Sequence, residues 1–283
     1  MPFGLKRHAG VSHYGAPMTT RLFRTLAGGA ALALGLSLAA CGGGDSGGSS
    51  GSGGSGLQLI SDGQLKVCSD APYLPFDNID GSTFTGFDGD LMTKMAAGMK
   101  LDLVPQDSSF DALKSGLALD SNQCDVVASA MTITPERAQK LDFTDGYYNS
   151  EQSLLVSSDS SIASIDDLAG KKVGVQTGTT GETYAKDHVP SDTQVVSFPD
   201  DSTMFNAIKG GSVDALLQDL PVNLEHTKDG SYQIVEKYDT GEQYGFAVKK
   251  GNTSLLDALN TQLKDLRDSG EYDTIYNKYF STK

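Results

Sequence analysis

The most informative stretch of the chain is Ser129-Ala130-Met131-Thr132-Ile133-Thr134-Pro135-Glu136-Arg137. It follows an apolar run, Val126 to Ala128, that is typical of a short buried strand. Thr134 stands where a helix N-cap belongs and Pro135 stands at the first helical position, so we expect Arg137 in the first turn of a helix. A cation there opposes the helix dipole at a cost of about 0.3–1 kcal/mol, which a bound anion would offset.

The guanidinium of Arg137 has two candidate roles. Beside Ser129 and Thr132, its planar fork of donors suits a carboxylate. The alternative is a surface arginine paired with Asp142 or Asp145. Polar groups elsewhere in the chain favour the carboxylate.

The N-terminal forty residues have the pattern of an export signal. The first 24 residues carry four cations and no acid, and the apolar run Leu26 to Ala40 follows. That run is shorter than the roughly 20 apolar residues of a membrane span. We therefore expect residues 1–40 to be a signal peptide, with either Met1 or Met18 as the true start.

The end of that segment, Leu38-Ala39-Ala40-Cys41, resembles the lipobox of bacterial lipoproteins. The resemblance implies that Cys41 is lipidated, becomes the mature N-terminus and anchors the chain to the outer face of the cell membrane. The alternative is an ordinary secretory signal with a chance cysteine. Residues 41–56 are almost wholly Gly and Ser after Cys41, which predicts a flexible tether.

The charge balance restricts the partners. The chain holds 22 Lys and Arg against 36 Asp and Glu, a formal net charge of −14, and four of the cations belong to the signal. Such an acidic chain is unsuited to nucleic acid or to an anionic membrane surface. The remaining length is enough for two lobes of about 100 residues each.

The cysteines and histidines predict no metal site. Cys68 and Cys124 lie on or beside apolar runs, and outside the cytoplasm they form either a disulfide, which we favour, or two buried thiols. His188 and His226 are far apart and lack neighbouring ligand residues.

The first half of the folded region reads as alternating strands and helices. We expect strands at Leu65–Ser69, Leu101–Val104 and Val126–Ala130, and helices at 88–99 and 110–117. The order βαβαβ predicts an α/β fold with a parallel sheet.

An internal sequence repeat predicts a second lobe. Phe110–Gly116 is matched by Phe205–Gly211, and each copy leads to an aspartate and a short apolar run, at Asp125 and at Asp214. Chance repetition of βαβ units is the alternative. If the sequence repeat reflects a repeated structural unit, the chain forms two α/β lobes. Each lobe then presents polar side chains at the carboxyl end of a strand, where ligands bind in open α/β sheets.

The remaining segments are assigned around these lobes. We expect the second lobe to start at Leu168–Val175. Ser153–Val156 and Phe246–Val248 are placed to connect the lobes as two strands. Leu255–Leu266 and Tyr272–Phe280 predict amphipathic helices that pack back on the first lobe.

Polar and aromatic groups at the strand ends predict a pocket. The Gly-rich run Val175–Glu182 leads from a strand into a helix and offers free N–H groups to an anion, although a capped turn without a ligand is the alternative. Asp219 closes the second lobe's strand and either accepts from an ammonium or caps the helix near Pro221. With Arg137 for a carboxylate, this describes a receptor for a zwitterionic amino acid.

Six short stretches together resemble the motifs of one known family. They are Asp70–Phe76, Gly86–Leu91, Met131–Arg137, Asp142–Tyr148, Gly178–Thr180 and Gln218-Asp219. The resemblance is to the polar amino-acid solute-binding proteins of ABC importers, family 3, and it spans Leu65 to Phe280.

This resemblance implies a two-lobed clamp of the periplasmic-binding-protein type II, with two hinge strands. Residues 57–150 and 246–283 would form lobe 1, and residues 151–245 would form lobe 2. A monomer without a cofactor would close on one amino acid and deliver it to an ABC permease, without turning it over.

The resemblance also implies a role for each site residue. Arg137 and the Thr180 backbone would hold the α-carboxylate, with Ser129 and Thr132 assisting. Asp219 would hold the α-ammonium. Tyr73 and Phe110 would sandwich the side chain of the ligand, and Asp70 would meet its far end. The predicted ligand-binding set also includes Ala130, Gln176 and Thr179.

Lysine/arginine/ornithine binders are the most similar for this aromatic pair with Asp70, and glutamine binders come next. Ala130 stands where those binders use serine, Gln176 replaces an apolar residue, and Gly181 replaces a glutamine. A second function class is an enzyme on the same scaffold, since a few relatives of this fold are dehydratases of cyclohexadienyl acids. Asp70 would then be the general acid.

Overall fold

The structure is a computed structural model that describes residues 56–281. The expected signal peptide, Cys41 and all but the last residue of the expected tether lie outside the described residues. Within residues 56–281, no helix is both long enough and apolar enough to cross a membrane.

Twelve strands and eight α-helices make up this region. The strands are β1 (Gln64–Ser69), β2 (Asn78–Asp80), β3 (Thr83–Thr85), β4 (Asp102–Asp107), β5 (Val126–Val127), β6 (Leu141–Phe143), β7 (Tyr148–Ser157), β8 (Lys172–Gln176), β9 (Gln194–Phe198), β10 (Ala215–Asp219), β11 (Tyr232–Tyr244) and β12 (Ala247–Lys249). The helices are α1 (Phe87–Gly98), α2 (Phe110–Lys114), α3 (Leu117–Asp120), α4 (Thr180–His188), α5 (Asp201–Lys209), α6 (Leu220–His226), α7 (Thr253–Asp268) and α8 (Glu271–Phe280). Two 3-10 turns lie at Arg137–Gln139 and Ile165–Leu168.

The first lobe is built on a five-stranded sheet in the order β4-β1-β5-β12-β6. β1 is parallel to both β4 and β5, as expected, but β12 runs antiparallel to β5 and β6. The sheet is therefore mixed rather than purely parallel, because the chain re-enters it from the second lobe. α1, α7 and α8 cover it, with Leu91, Leu259 and Leu263 in its core.

The second lobe is a five-stranded sheet in the order β11-β7-β10-β8-β9. β8 is parallel to β9 and β10, while β7 lies antiparallel between β10 and β11. Each sheet thus contains three adjacent parallel strands and, beside them, two strands that run antiparallel to each other. The carboxyl ends of the three parallel strands lie at the cleft between the lobes.

The internal sequence repeat corresponds to a hydrogen bond that both lobes contain. Asp125 Oδ2 accepts a hydrogen bond from the Lys66 N–H at 2.9 Å, and Asp214 Oδ2 accepts one from the Lys172 N–H at 2.8 Å. Each aspartate therefore ties the start of one parallel strand to its neighbour. The preceding helices match less well, since Phe110 begins α2 whereas Phe205 lies in the middle of α5.

The expected connecting strands were wrong in position. Ser153–Val156 pairs with β10 inside the second sheet, and Val248 pairs inside the first. The lobes are joined instead by the polar ends of β7 and β11, where Tyr148 pairs with Tyr244. Sequence patterns find buried apolar runs, so they select the sheet interiors rather than the polar crossing segments.

Local geometry shortens two predicted elements. The helix expected over 110–117 breaks into α2 and α3 at Gly116, whose φ of 82° is left-handed. The strand expected over 126–130 ends at Val127, and Ala130 adopts a φ of 43°. A disulfide joins Cys68 to Cys124 in the core of the first lobe.

Candidate functional site

The eleven residues predicted for the ligand site surround one cavity between the two lobes. They are Asp70, Tyr73, Phe110, Ser129, Ala130, Thr132, Arg137, Gln176, Thr179, Thr180 and Asp219. The cavity has a volume of about 20 Å³, close to the minimum that holds one water. A second, more open cavity of about 850 Å³ adjoins it and shares Thr132, Arg137, Thr179 and Thr180.

Arg137 lies at the entrance of this cavity. Its N–H donates to Thr134 Oγ1 at 3.2 Å, so Thr134 acts as the expected cap, but the helix is a single 3-10 turn rather than an α-helix. The guanidinium donates to the Thr132 carbonyl at 2.8 Å and to the Gly178 carbonyl at 3.2 Å. Its centre lies 5.1 Å from the Phe110 ring centroid.

The alternative of a surface arginine is wrong, because Arg137 is only 7% exposed. Asp142 pairs with Lys250 instead, at 2.6 Å. Burial lowers the pKa of Arg137, and the carboxylates of Glu242 and Asp219 oppose that shift. The guanidinium stays charged at neutral pH and keeps three of its five N–H donors for a ligand.

The N-terminus of α4 faces Arg137 from the second lobe. Thr179 is its N-cap, and its hydroxyl accepts from the Glu182 N–H at 3.0 Å. Glu182 in turn accepts from the Gly178 N–H at 2.6 Å, which fixes the left-handed turn at Gly178. The first N–H groups of a helix have no partner within it, so those of Thr180 and Gly181 suit an anion.

Gly181 allows this helix end to approach β7 and β10. A Cβ at this position would lie 2.8 Å from Gln152 Oε1 and 3.3 Å from the Leu217 carbonyl oxygen. A larger residue here would therefore require the Gln152 side chain or the N-terminus of α4 to shift.

Asp219 is the buried anion of the second lobe. Its carboxylate accepts from Tyr73 at 2.9 Å, from Tyr244 at 2.5 Å and from Gln152 Nε2 at 2.5 Å. Asp219 occupies the N-cap position of α6, as the alternative expected, but its side chain makes no capping hydrogen bond there. Burial raises the pKa of Asp219 to about 6, and the nearby Glu242 adds to the rise.

Asp70 lies at the opposite end of the cavity. Its carboxylate accepts from Gln176 Nε2 at 2.6 Å, and its N–H donates to Ser129 Oγ at 3.0 Å. Burial raises the pKa of Asp70 to about 7 despite the bond from Gln176. Three further carboxylates contribute to the rise: those of Asp107, Asp200 and Asp201.

Ala130 is held in place from the core. Its N–H donates to Asp88 Oδ2 at 2.9 Å, and Tyr147 donates to the same oxygen at 2.7 Å. Burial raises the pKa of Asp88 to about 7. Asp88 thus stabilises the left-handed backbone that directs Ser129 and Ala130 towards the cavity.

Three polar residues of the cleft were not predicted from the sequence. Gln152, Glu242 and Tyr244 lie on the strands that cross between the lobes. Glu242 Oε2 accepts from Thr132 Oγ1 at 2.7 Å and from Thr180 Oγ1 at 2.8 Å. No local motif marks these positions, since their contacts depend on strand pairing across some 90 residues of chain.

The charged groups lie at different ends of one cavity. The guanidinium of Arg137 and the N-terminus of α4 lie at one end with Asp219 next to them, and Asp70 lies at the other end. Hydrogen bonds cross the cleft from Tyr73 to Asp219 and from Gln176 to Asp70. Within residues 56–281 there is no cluster of three or more side chains suited to a metal ion.

A family model describing bacterial extracellular solute-binding proteins, family 3, matches residues 65–282. The chain belongs to this family. The family resemblance seen in the sequence is confirmed, and so is the two-lobed fold.

Several relatives are similar over most of the chain. A probable histidine-binding protein of Neisseria gonorrhoeae is 36% identical over 76% of this chain and 82% of that protein. The putative ABC transporter arginine-binding protein 2 of Escherichia coli is 34% identical over 80% and 95%. An ABC transporter glutamine-binding protein of Bacillus subtilis is 32% identical over 75% and 79%.

Solved structures of amino-acid-binding proteins share the fold. An ancestral arginine-binding protein bound to glutamine has a TM-score of 0.72 and 37% identity, covering 78% of this chain and 99% of that one. An ancestral amino acid-binding protein, a precursor of cyclohexadienyl dehydratase, has a TM-score of 0.70 and 36% identity, covering 77% and 96%. The curated relatives are binding proteins of ABC transporters, and this family 3 chain is likewise a binding protein rather than an enzyme.

Proposed function

We propose that this protein captures a basic L-amino acid, arginine or lysine in preference to glutamine, and delivers it to an ABC permease from a lipid anchor at Cys41. The α-carboxylate of the ligand binds to Arg137 and to the N-terminus of α4. The α-ammonium binds to Asp219. The cationic end of the side chain binds to Asp70.

The acidic far end of the cavity carries the preference for a cation. Burial raises the pKa of Asp70 to about 7, and the carboxylates of Asp107, Asp200 and Asp201 add to that rise. A guanidinium or ammonium placed there relieves the repulsion and ionises Asp70. A neutral amide gains less, because it brings no charge to the cluster.

Loading requires the lobes to separate. A pocket for a small molecule usually measures about 300–1,000 Å³, whereas the inner cavity measures about 20 Å³. The ligand would exchange its own groups for the bonds that now cross the cleft. Its ammonium takes the place of the Tyr73 hydroxyl at Asp219, and its side chain takes the place of Gln176 at Asp70.

The lipid anchor rests on Leu38-Ala39-Ala40-Cys41 and on the Gly/Ser tether that follows. Cys41→Ser should move the protein from the membrane fraction to the medium or the periplasm. Labelling with a fatty-acid analogue checks the lipid directly. Membrane association that persists without label incorporation would refute the anchor.

Titration calorimetry against the twenty common amino acids tests the ligand assignment. We expect arginine and lysine to bind most tightly, with glutamine weaker. Binding of glutamine alone would refute the basic preference but keep the amino-acid site. Failure of every polar amino acid to bind below about 100 μM would refute the proposed function.

A further inference from the structure

Glu242 joins the two lobes through one carboxylate. It lies on β11 where that strand pairs with Ser150 of β7. Its Oε2 accepts from Thr132 of the first lobe at 2.7 Å and from Thr180 of the second lobe at 2.8 Å. The proposed ligand contacts assign no role to this residue.

The two threonine hydroxyls each carry a single proton, together with lone pairs that can accept. Both protons are directed to Glu242, so neither is free for the carboxylate of a ligand. Both Thr132 and Thr180 also line the inner cavity. Towards that cavity their hydroxyl oxygens therefore act as acceptors, which suits an ammonium.

Glu242 is also connected to the buried anion of the second lobe. Gln152 Nε2 lies 2.5 Å from Asp219 Oδ1 and 3.2 Å from Glu242 Oε1. Thr240 Oγ1 donates to the same Glu242 oxygen at 2.9 Å. Four donors thus fix the carboxylate of Glu242, and Gln152 links it to Asp219.

We infer that Glu242 is a positioning residue that decides how the site reads a zwitterion. By holding the protons of Thr132 and Thr180, it turns both hydroxyls into acceptors for the α-ammonium and leaves the α-carboxylate to Arg137 and the N-terminus of α4. This inference rests on the proposed amino-acid binding and reverses the carboxylate-assisting role expected for Thr132.

The test compares L-arginine with 5-guanidinopentanoic acid, which lacks only the α-amino group, by calorimetry on the full chain. The wild-type chain should prefer arginine at least 100-fold. Glu242→Ala frees both hydroxyl protons, which can then turn to the carboxylate. Arginine should bind at least tenfold more weakly, while the analogue should bind as well as before or better.

Two further variants distinguish the orientation of the threonine hydroxyls from a general effect of removing a carboxylate. Glu242→Gln keeps a carbonyl oxygen that both hydroxyls can donate to, so it should retain most of the selectivity that Glu242→Ala loses. Glu151→Ala removes a carboxylate from the facing strand β7 and should leave the selectivity within about threefold of wild type. A merely structural role for Glu242 would change both affinities but not their ratio.

Each result that would contradict the role of Glu242 can be told apart from the others. Equal weakening of both ligands by Glu242→Ala would show that Glu242 only holds the lobes together. Tighter arginine binding would show that it competes with the ligand's carboxylate. If wild type binds glutamine instead of arginine, the basic preference fails, and glutamine with 5-amino-5-oxopentanoic acid gives the same comparison. Binding of neither amino acid by wild type overturns both proposals at the first titration.

Discussion

Arg137 and Asp219 carry the fixed charges that the proposed ligand would neutralise. The guanidinium is buried and already donates to two carbonyls, while the carboxylate accepts from three donors. The bonds within each lobe, from Arg137 to the Thr132 carbonyl and from Gln152 to Asp219, orient each side chain before a ligand arrives. Such preorganisation lowers the entropy that binding costs.

Replacing Arg137 should weaken binding of every amino acid that the protein accepts. Arg137→Ala leaves the ligand's carboxylate without its cationic partner in a desolvated site, which costs about 2–5 kcal/mol. Calorimetry measures the loss, and circular dichroism confirms the fold. Lys140→Ala, an exposed cation three residues away, is the matched control. A loss under tenfold would remove Arg137 from the carboxylate site.

Replacing Asp70 should affect a basic ligand far more than glutamine. Asp70→Asn removes the charge that faces a guanidinium but keeps an acceptor for an amide. We expect arginine affinity to fall by more than tenfold and glutamine affinity by less than threefold. The exposed Asp80→Asn serves as control. Equal losses for both ligands would show that Asp70 does not contact the ligand's side chain.

The pH dependence of binding should differ between the two ligands. Because the pKa of Asp70 is raised to about 7, arginine must displace a proton from it below that pH. The Kd for arginine should rise by up to about tenfold per pH unit from pH 7 downwards. Glutamine binding should stay flat until about pH 6, where the pKa of Asp219 lies. Parallel profiles would contradict the assignment.

At the scale of elements, the strand ends could be predicted because each motif is local. Thr134 caps the turn of Arg137, and Thr179 caps α4, within a few residues of the groups they position. The segments of β7 and β11 that cross between the lobes could not be predicted, because they are held by distant contacts such as the hydrogen bond from Tyr244 to Ser150, 94 positions away. Their polar side chains show no apolar period that would mark them as strands.

The close approach of α4 to the second sheet is testable at Gly181. Gly181→Ala places a Cβ 2.8 Å from Gln152 Oε1 and 3.3 Å from the Leu217 carbonyl oxygen, so either Gln152 or the helix N-terminus must shift. We expect a loss of about 1 kcal/mol in stability and an affinity reduced several-fold. Gly210→Ala is the control, because its Cβ would meet no atom closer than 3.4 Å. Unchanged affinity in Gly181→Ala would mean that the helix end does not contact the ligand.

At the scale of the whole molecule, buried acids should make the ligand-free protein more stable in mild acid. The pKa values of Asp70 and Asp88 are raised to about 7 and that of Asp219 to about 6. Unfolded carboxyls near 3.8 release these protons, so stability should rise as pH falls from about 7 towards 4. Below that range, Asp142 and Glu182, whose pKa values are lowered, lose their stabilising bonds.

Scanning calorimetry of the ligand-free protein between pH 8 and pH 3 checks this order. We expect the melting temperature to rise by several degrees towards pH 5 and then to fall. Asp70→Asn should show a smaller rise, because it lacks one of the titrating groups. A melting temperature that falls steadily from pH 8 would show that these carboxyls are not raised in the folded state.

A crystal structure of the protein with L-arginine would locate the ligand directly. We expect one arginine between the lobes, with its α-carboxylate within hydrogen-bond distance of Arg137 and its α-ammonium within that distance of Asp219. Its guanidinium should lie against Asp70. An arginine bound outside the cleft, or bound there in the reverse orientation, would contradict the account.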